Sequence, residues 1–400
     1  MQETEWIVAE VPEGVGPGTG SDRGLPHILR VLLAQRGFTA EDQLESFLRP
    51  RLGDLRDPFE LPEMDVAVRR ILQAVEKGEP TCIFGDYDVD GITSVTILCQ
   101  LLSAYGLKPQ TFIPIRGQEG YGLSDAAIDR CLEAEVKPTL LITVDCGTAS
   151  GVEIERLAGQ GIDVIVVDHH EAGPGGRPSA AVAVVNPKFG DDYDYLCSAG
   201  VVFKLAHALL KTRRLEEVDL KEVLDLVAVA TIADIVPLVG ENRLLVRHGL
   251  RRLPQTSNHG LRALMELGGM NGDVTSADVG FRIGPRINAA GRMDAPDDAL
   301  KTLMADSSET AARMAEQLDS HNRKRQKIEG EMYEDALAKL ADEGFDDARD
   351  PVIVVGSDRW HPGVVGIVAS RLMRHYHKPT FVISINSEDG MGKGSGRRRP

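Results

Sequence analysis

The chain has 400 residues, 42% hydrophobic and 26% charged, with a formal net charge of −16. That length exceeds what one hydrophobic core supports, so two or more domains are expected, and no apolar run approaches the roughly 18 residues of a membrane-spanning helix. The acid excess excludes a polycation that coats nucleic acid without specificity, although it leaves room for an enzyme with local basic patches.

Taken in chain order, residues 1–20 are acidic, Gly- and Pro-rich and without periodicity. They are expected to be disordered, and they lack the basic-then-apolar form of a secretory signal. Residues 25–78 read as helical, with Leu29, Leu32 and Leu33, then Leu44, Phe47 and Leu48, then Val68, Ile71, Leu72 and Val75 at helical spacing. From Thr81 onward, strands predicted at 81–84, 110–114, 139–144, 163–167 and 181–185 alternate with helices at 92–105, 124–134 and 149–160. That alternation specifies an α/β fold with a parallel sheet. Residues 198–300 read as largely helical, broken at Pro237, Pro254 and Gly268-Gly269.

Asp306-Ser307-Ser308-Glu309 has the form of a capping box and opens a long helix that Gly344 ends. The apolar positions of this helix thin out across 319–327, as in a helix that bridges two domains through solvent. Strands at 351–356 and 380–383 with a helix at 364–375 then form a second α/β unit. The expected organisation is a disordered 1–20, an α/β domain with a helical N-terminal extension over 21–305, a connecting helix over 306–342, and a smaller α/β domain over 343–400. The five cysteines (Cys82, Cys99, Cys131, Cys146, Cys197) carry no CxxC spacing, which argues against a zinc or disulfide role and fits a reducing cytoplasm.

Four carboxylate-bearing segments fall in order: Asp86-Tyr87-Asp88-Val89-Asp90-Gly91, Val144-Asp145-Cys146-Gly147-Thr148, Asp168-His169-His170 and Ala233-Asp234-Ile235-Val236-Pro237. The first three follow strand-type runs, and residues just past the carboxyl ends of parallel strands share one ligand-binding rim. Acids crowded on one rim repel unless cations separate them, so the pattern reads as a divalent-metal cluster. Alternation in an extended chain would let Asp88 and Asp90 converge on one ion; the competing reading of that segment is an Asx turn or helix N-cap. An EF-hand is excluded, because its twelfth position, counted from Asp86, is Ile97. Asp145 taken alone reads as a helix cap as readily as a ligand. Imidazole beside carboxylates favours Mn²⁺ over Mg²⁺, and Asp234, set in an apolar stretch, requires a metal or an arginine. Basic residues gather at Arg282, Arg286 and Arg292, at 321–327 and at Arg397-Arg398-Arg399; a solvated face is the plain alternative for the 321–327 run.

This ordered set resembles the DHH phosphoesterase superfamily and, within it, the RecJ family of single-stranded-DNA-specific exonucleases. Beyond the acidic motifs, the resemblance rests on Asp57-Pro58-Phe59, Glu119-Gly120-Tyr121-Gly122, the stretch from Gly284 to Arg292, and the stretch from Trp360 to Arg371, which is similar to a DHH-associated C-terminal domain. It implies that Asp88, Asp90, Asp145, His169 and Asp234 hold two Mn²⁺ or Mg²⁺ ions, with Asp86 and His170 in support. It implies a 5′-phosphate pocket of Arg116, Ser395, Arg397 and either Arg286 or Arg292, where planar guanidinium groups suit a terminal phosphate. Surface pairing or capping is the alternative for Arg286 and Arg292; Trp360 and His361 are candidates for stacking on a base or sugar, with a core role as the alternative for Trp360.

The implied activity is 5′-to-3′ hydrolysis of single-stranded DNA to mononucleotides in DNA repair and recombination, with a single-stranded-DNA-binding protein and a helicase as implied partners. A phosphodiesterase for short oligonucleotides or cyclic dinucleotides, and a non-catalytic DNA-binding relative, are the competing functions. Arg398-Arg399-Pro400 stands where the family pattern continues with serine, and neither the family's Gly-Gly-His loop nor its OB-fold follows. The expectation is a truncated chain that keeps the metal site and binds long strands weakly.

Overall fold

The computed structural model describes residues 9–10, 25–190, 195–270, 272–388 and 390–398. The segment expected to be disordered lies outside these residues apart from 9–10, as does Arg399. The first sheet consists of β1 (Thr81–Phe84), β2 (Gln110–Phe112), β3 (Leu140–Val144), β4 (Asp163–Val167) and β5 (Ala183–Val185), all parallel, in the order β2-β1-β3-β4-β5. Because strand side chains alternate, Ile83, Ile142, Val144, Ile165 and Val167 join one core, while Cys82, Phe84, Leu141, Val164 and Val166 join another on the opposite face. Both faces are covered by helices, which is why these strands are continuous apolar runs. β1 connects toward β2 and β3 toward β4, so the chain diverges between β1 and β3. A crevice opens at such a switch point beyond the carboxyl ends of the strands.

The larger core collects the helices Met64–Lys77, Val89–Ala104, Ser198–Thr212 and Leu224–Ala233, together with the start of the long helix Ser308–Asp342. The long helix is capped by the Ser307 hydroxyl, which accepts from Thr310 N–H, so the cap partner is Thr310 rather than the Glu309 of the expected box. Its polar middle does not simply face solvent. Asp319 and Asn322 are buried, and Asp319 holds Arg286 at 2.9 Å, because the helix crosses the Gly284–Arg292 helix there.

The second sheet contains β6 (Ile353–Ser357), β7 (Thr380–Ile385) and β8 (Gly392–Arg397), in the order β6-β7-β8, with β6 and β7 parallel and β8 antiparallel. Its own core takes Met332, Ala336 and Leu340 from the far end of the long helix and Val365, Val368 and Leu372 from the helix Val365–Tyr376. The sequence reading missed β8. Its run Gly392-Lys393-Gly394-Ser395-Gly396-Arg397 has no strand propensity, and tertiary pairing with β7 overrides that. Among the described residues, no helix is long and apolar enough to cross a membrane.

Candidate metal centre and phosphate pocket

β1 delivers the chain into a short loop whose Asp86 is fully buried. Asp88 then ends the loop as the N-cap of Val89–Ala104, its Oδ1 accepting from Asp90 N–H at 3.0 Å and Gly91 N–H at 3.2 Å. The helix therefore starts between the two aspartates and turns them apart. Asp90 faces the start of Ser198–Thr212, where it accepts from Ser198 N–H at 2.7 Å and Ala199 N–H at 2.8 Å. Asp86, Asp88 and Asp145 form one group of convergent donors; Asp90, His169 and Asp234 form a second; Asp145, His169 and His170 form a third that overlaps both. Asp88 and Asp90 thus do not converge on one point, contrary to the extended-chain reading. Asp88 combines the N-cap role with membership of a donor group.

Asp145 sits past β3 with φ of 61°, a left-handed conformation that is uncommon for a side-chain-bearing residue. Its Oδ1 lies 3.4 Å from His169 Nε2, which in turn lies 3.7 Å from Asp90 Oδ2 and 3.7 Å from Asp234 Oδ2. His169 is thus the link between the first two donor groups. Asp168 is not part of any of the three. It accepts from Thr148 N–H at 3.0 Å, from His169 N–H at 2.7 Å and from His170, whose Nδ1 is 2.8 Å away.

The electrostatics separate the orienting group from the convergent donors. Burial raises the carboxyl pKa of Asp168, but the hydrogen bond and charge of His170, with Thr148, hold it at about 2. The same hydrogen bond raises His170 to about 9. Burial, then mutual repulsion, pushes Asp86 and Asp145 well above the carboxylate range and Asp234 up to about 7; burial also raises Asp90 and lowers His169. Two carboxylates about 4 Å apart repel by roughly 4 kcal/mol at an effective dielectric constant of about 20. Several such pairs coexist only with protons or cations among them. Both oxygens of Asp86, Oδ1 of Asp145 and Nε2 of His169 are buried without a hydrogen-bond partner. Orphaned atoms of this kind, in overlapping convergent groups, fit divalent cations.

Of the expected phosphate-binding residues, Arg116 begins a short helix, with its guanidinium 5.3 Å above the Tyr87 ring. Arg292 is half-buried and, among the described residues, donates to the Gly363 carbonyl at 3.3 Å. Among the described residues, neither arginine meets a carboxylate. Arg286, by contrast, pairs with Asp319, which favours Arg292 for the pocket. Ser395 and Arg397 stand over the start of the Val365–Tyr376 helix, where a Cβ on Gly366 would come within 3.3 Å of both Ser395 Oγ and Arg397 Nη2.

Trp360 takes the core role: it is 4% exposed and its indole N–H donates to Asp335 Oδ2 at 2.8 Å. His361 is half-buried and accepts from Gly363 N–H at 3.1 Å. Most of the 321–327 run is occupied by ion pairs, with His321 on Asp298, Arg323 on Asp319, Arg325 on Glu329 and Lys327 on Glu331. Sequence reasoning missed Lys393, whose Nζ reaches the Arg116 carbonyl at 3.5 Å, and Asn288, whose Oδ1 accepts from Val89 N–H at 3.1 Å. Only the position of Asn288 inside the Gly284–Arg292 motif signalled it. A cleft of about 590 Å³ runs from Ile235 and Phe281 to Arg292, Arg325 and Ile367, joining the two sheets' domains beside Asp234.

Comparison with known proteins places these features in context. Residues 80–231 match the DHH family, N-terminal domain. The chain is 41% identical over 370 residues to the single-stranded-DNA-specific exonuclease RecJ of Bacillus subtilis (strain 168), covering 92% of this chain and 45% of that protein. It superimposes on a crystal structure of exonuclease RecJ bound to manganese with a TM-score of 0.76 and 36% identity, covering 88% of this chain and 84% of that one. RecJ of Thermus thermophilus in complex with Mg²⁺ is also similar, with a TM-score of 0.68, 33% identity and coverage of 89% and 47%. The chain spans about half the length of the Bacillus relative.

Proposed function

This chain belongs to the RecJ family of DHH proteins, and on that premise we propose that it is a divalent-metal-dependent exonuclease releasing mononucleotides from the 5′ end of single-stranded DNA in repair and recombination. The observation that carries the reading is the convergence of orphaned Asp86, Asp145 and His169 atoms at the β1/β3 crevice, together with two arginines that lack carboxylate partners among the described residues. Asp90, His169 and Asp234 would hold one ion, and Asp86, Asp88 and Asp145 the other; His169 makes Mn²⁺ the better fit, with Mg²⁺ as the alternative. Divalent cations held there supply Lewis-acid stabilisation of phosphate charge and a water acidic enough to act as nucleophile.

The remaining work falls to the chain itself. Asp168 fixes His170 through Nδ1. Arg116 and Arg292, with Ser395 and Arg397, would grip a terminal 5′-phosphate, which gives the polarity its physical basis: a free end binds where an internal phosphate, flanked by nucleotides on both sides, is excluded. The proposed domain limits are 21–305, 306–342 and 343–400, with the phosphate pocket between the first and last. A cytoplasmic location, a single-stranded-DNA-binding protein and a helicase complete the proposal.

The test is Mn²⁺-dependent digestion of 5′- or 3′-labelled single strands with duplex as control. Early release of 5′-labelled mononucleotide from the single strand alone is expected; internal cuts, or equal digestion of duplex, would overturn the assignment. Asp88→Ala or Asp234→Ala should reduce turnover to below about one hundredth of wild type with the circular-dichroism spectrum unchanged.

A further inference from the structure

The motif Glu119-Gly120-Tyr121-Gly122 lies beside that site. Tyr121 is 56% exposed, although it stands among charged groups and packs no core. Its hydroxyl lies 3.1 Å from His170 Nε2, on the far side of the imidazole from Asp168. Its ring meets Tyr87 edge-on, with centroids 6.2 Å apart and planes at 83°, and Tyr87 lies under the Arg116 guanidinium. One contiguous set of contacts therefore runs from the phosphate pocket through Tyr87 and Tyr121 to His170.

The turn is built to hold the ring there. Gly120 and Gly122 have φ of 89° and 65°, which a side chain disfavours. Glu119 anchors the turn by accepting from Ile115 N–H at 2.6 Å and from Arg130. An exposed aromatic face between a cationic pocket and a metal-type cluster suits a nucleoside, because every base offers a π-face to stack on it.

We propose that Tyr121 is a positioning residue: its ring carries the 5′-terminal nucleoside between Arg116 and the metal centre, and its hydroxyl fixes the His170 ring from Nε2, opposite Asp168, so that cleavage falls one nucleotide from the end. This rests on the exonuclease reading and deepens it.

The experiment compares wild type, Tyr121→Phe and Tyr121→Leu in Mn²⁺. It measures equilibrium binding of thymidine 5′-monophosphate, product length from a 5′-phosphorylated 12-mer, kcat and KM, and Mn²⁺ affinity. Tyr121→Leu should bind the mononucleotide at least about fivefold more weakly and release dinucleotides and longer products. Tyr121→Phe keeps the ring, so it should bind within about twofold and yield mononucleotides only, while kcat falls about tenfold at unchanged KM. Mn²⁺ affinity should be equal in all three. Unchanged mononucleotide binding by Tyr121→Leu, or loss of Mn²⁺ affinity in either variant, would overturn the proposal, as would wild-type products and kcat in both. If wild type releases no nucleotide yet the binding differences appear, the exonuclease reading fails and the nucleotide contact of Tyr121 stands. If wild type digests and the variants match it, only the role of Tyr121 fails.

Discussion

Asp86 has neither carboxylate oxygen satisfied, while Asp168, equally buried, accepts bonds from Thr148, His169 and His170. The two aspartates show how burial has opposite outcomes at one rim: a satisfied carboxylate orients its neighbours, and an unsatisfied one is left to meet a cation. The signs of the pKa shifts lead to a prediction. Asp234, raised to about 7, costs nothing where both folded and unfolded states are protonated; its penalty grows as pH rises from its ordinary 3.8 and is complete above 7. His170, raised from 6.5 to about 9, contributes stability that is full below 6.5 and lost as pH rises through 9. On account of these two groups, the metal-free protein is less stable at about pH 8.5 than at about pH 6.5. Bound Mn²⁺ requires deprotonated ligands and so gains affinity over the same range. Scanning calorimetry should therefore show a larger Mn²⁺-induced rise in Tm at the higher pH. Equal rises at both would mean that these carboxylates do not hold the ion.

At the scale of the element, the junction of β1 with the Val89–Ala104 helix depends on close approach rather than on propensity. A Cβ on Gly91 would lie 2.4 Å from the Asp86 carbonyl oxygen, and backbone at that distance cannot yield without moving the loop that carries Asp86 and Asp88. Gly91→Ala should cost about 1–3 kcal/mol in urea unfolding and weaken Mn²⁺ binding. Gly330, inside the long helix, has open space where a Cβ would stand, with nothing within 4 Å. Gly330→Ala should therefore stabilise by about 0.5–1 kcal/mol and leave Mn²⁺ binding alone. Equal effects of the two substitutions would contradict this account of the junction.

For the whole molecule, net charge and local charge point in opposite directions. The chain carries −16 overall, yet Arg116, Arg292, Lys393 and Arg397 gather where the two sheets' domains meet. If four cations each neutralise one phosphate, log K for a short single strand should fall with log salt at a slope of about −3, at roughly 0.7 per phosphate. Fluorescence anisotropy of a labelled 12-mer across a salt series measures this. A slope steeper than about −6 would require a second basic surface beyond this cleft.

Sequence alone determined the parallel sheet and the ligand candidates, because buried strands are uninterrupted apolar runs and the acids stand directly after them: β1 and β4 begin and end where the pattern places them. It also marked Asp86, Asp145 and His169, since acids and a histidine crowded on one rim repel unless cations separate them, and Asp234, since a charge set in an apolar stretch is costly to bury unless it binds something. Tertiary structure alone decided how those candidate ligands group. Asp88 and Asp90 part because the helix begins between them, a matter of where Ser198 and Ala199 N–H groups stand, more than 100 residues away. It decided as well that Arg286 is consumed by Asp319 and Trp360 by the core, and that a glycine-alternating segment becomes β8. For the aspartates, Arg286 and Trp360 the partner lies far along the chain, whereas β8 pairs with its neighbour β7; in every case local pattern carries no information about which group will satisfy a charge, an indole or a strand edge.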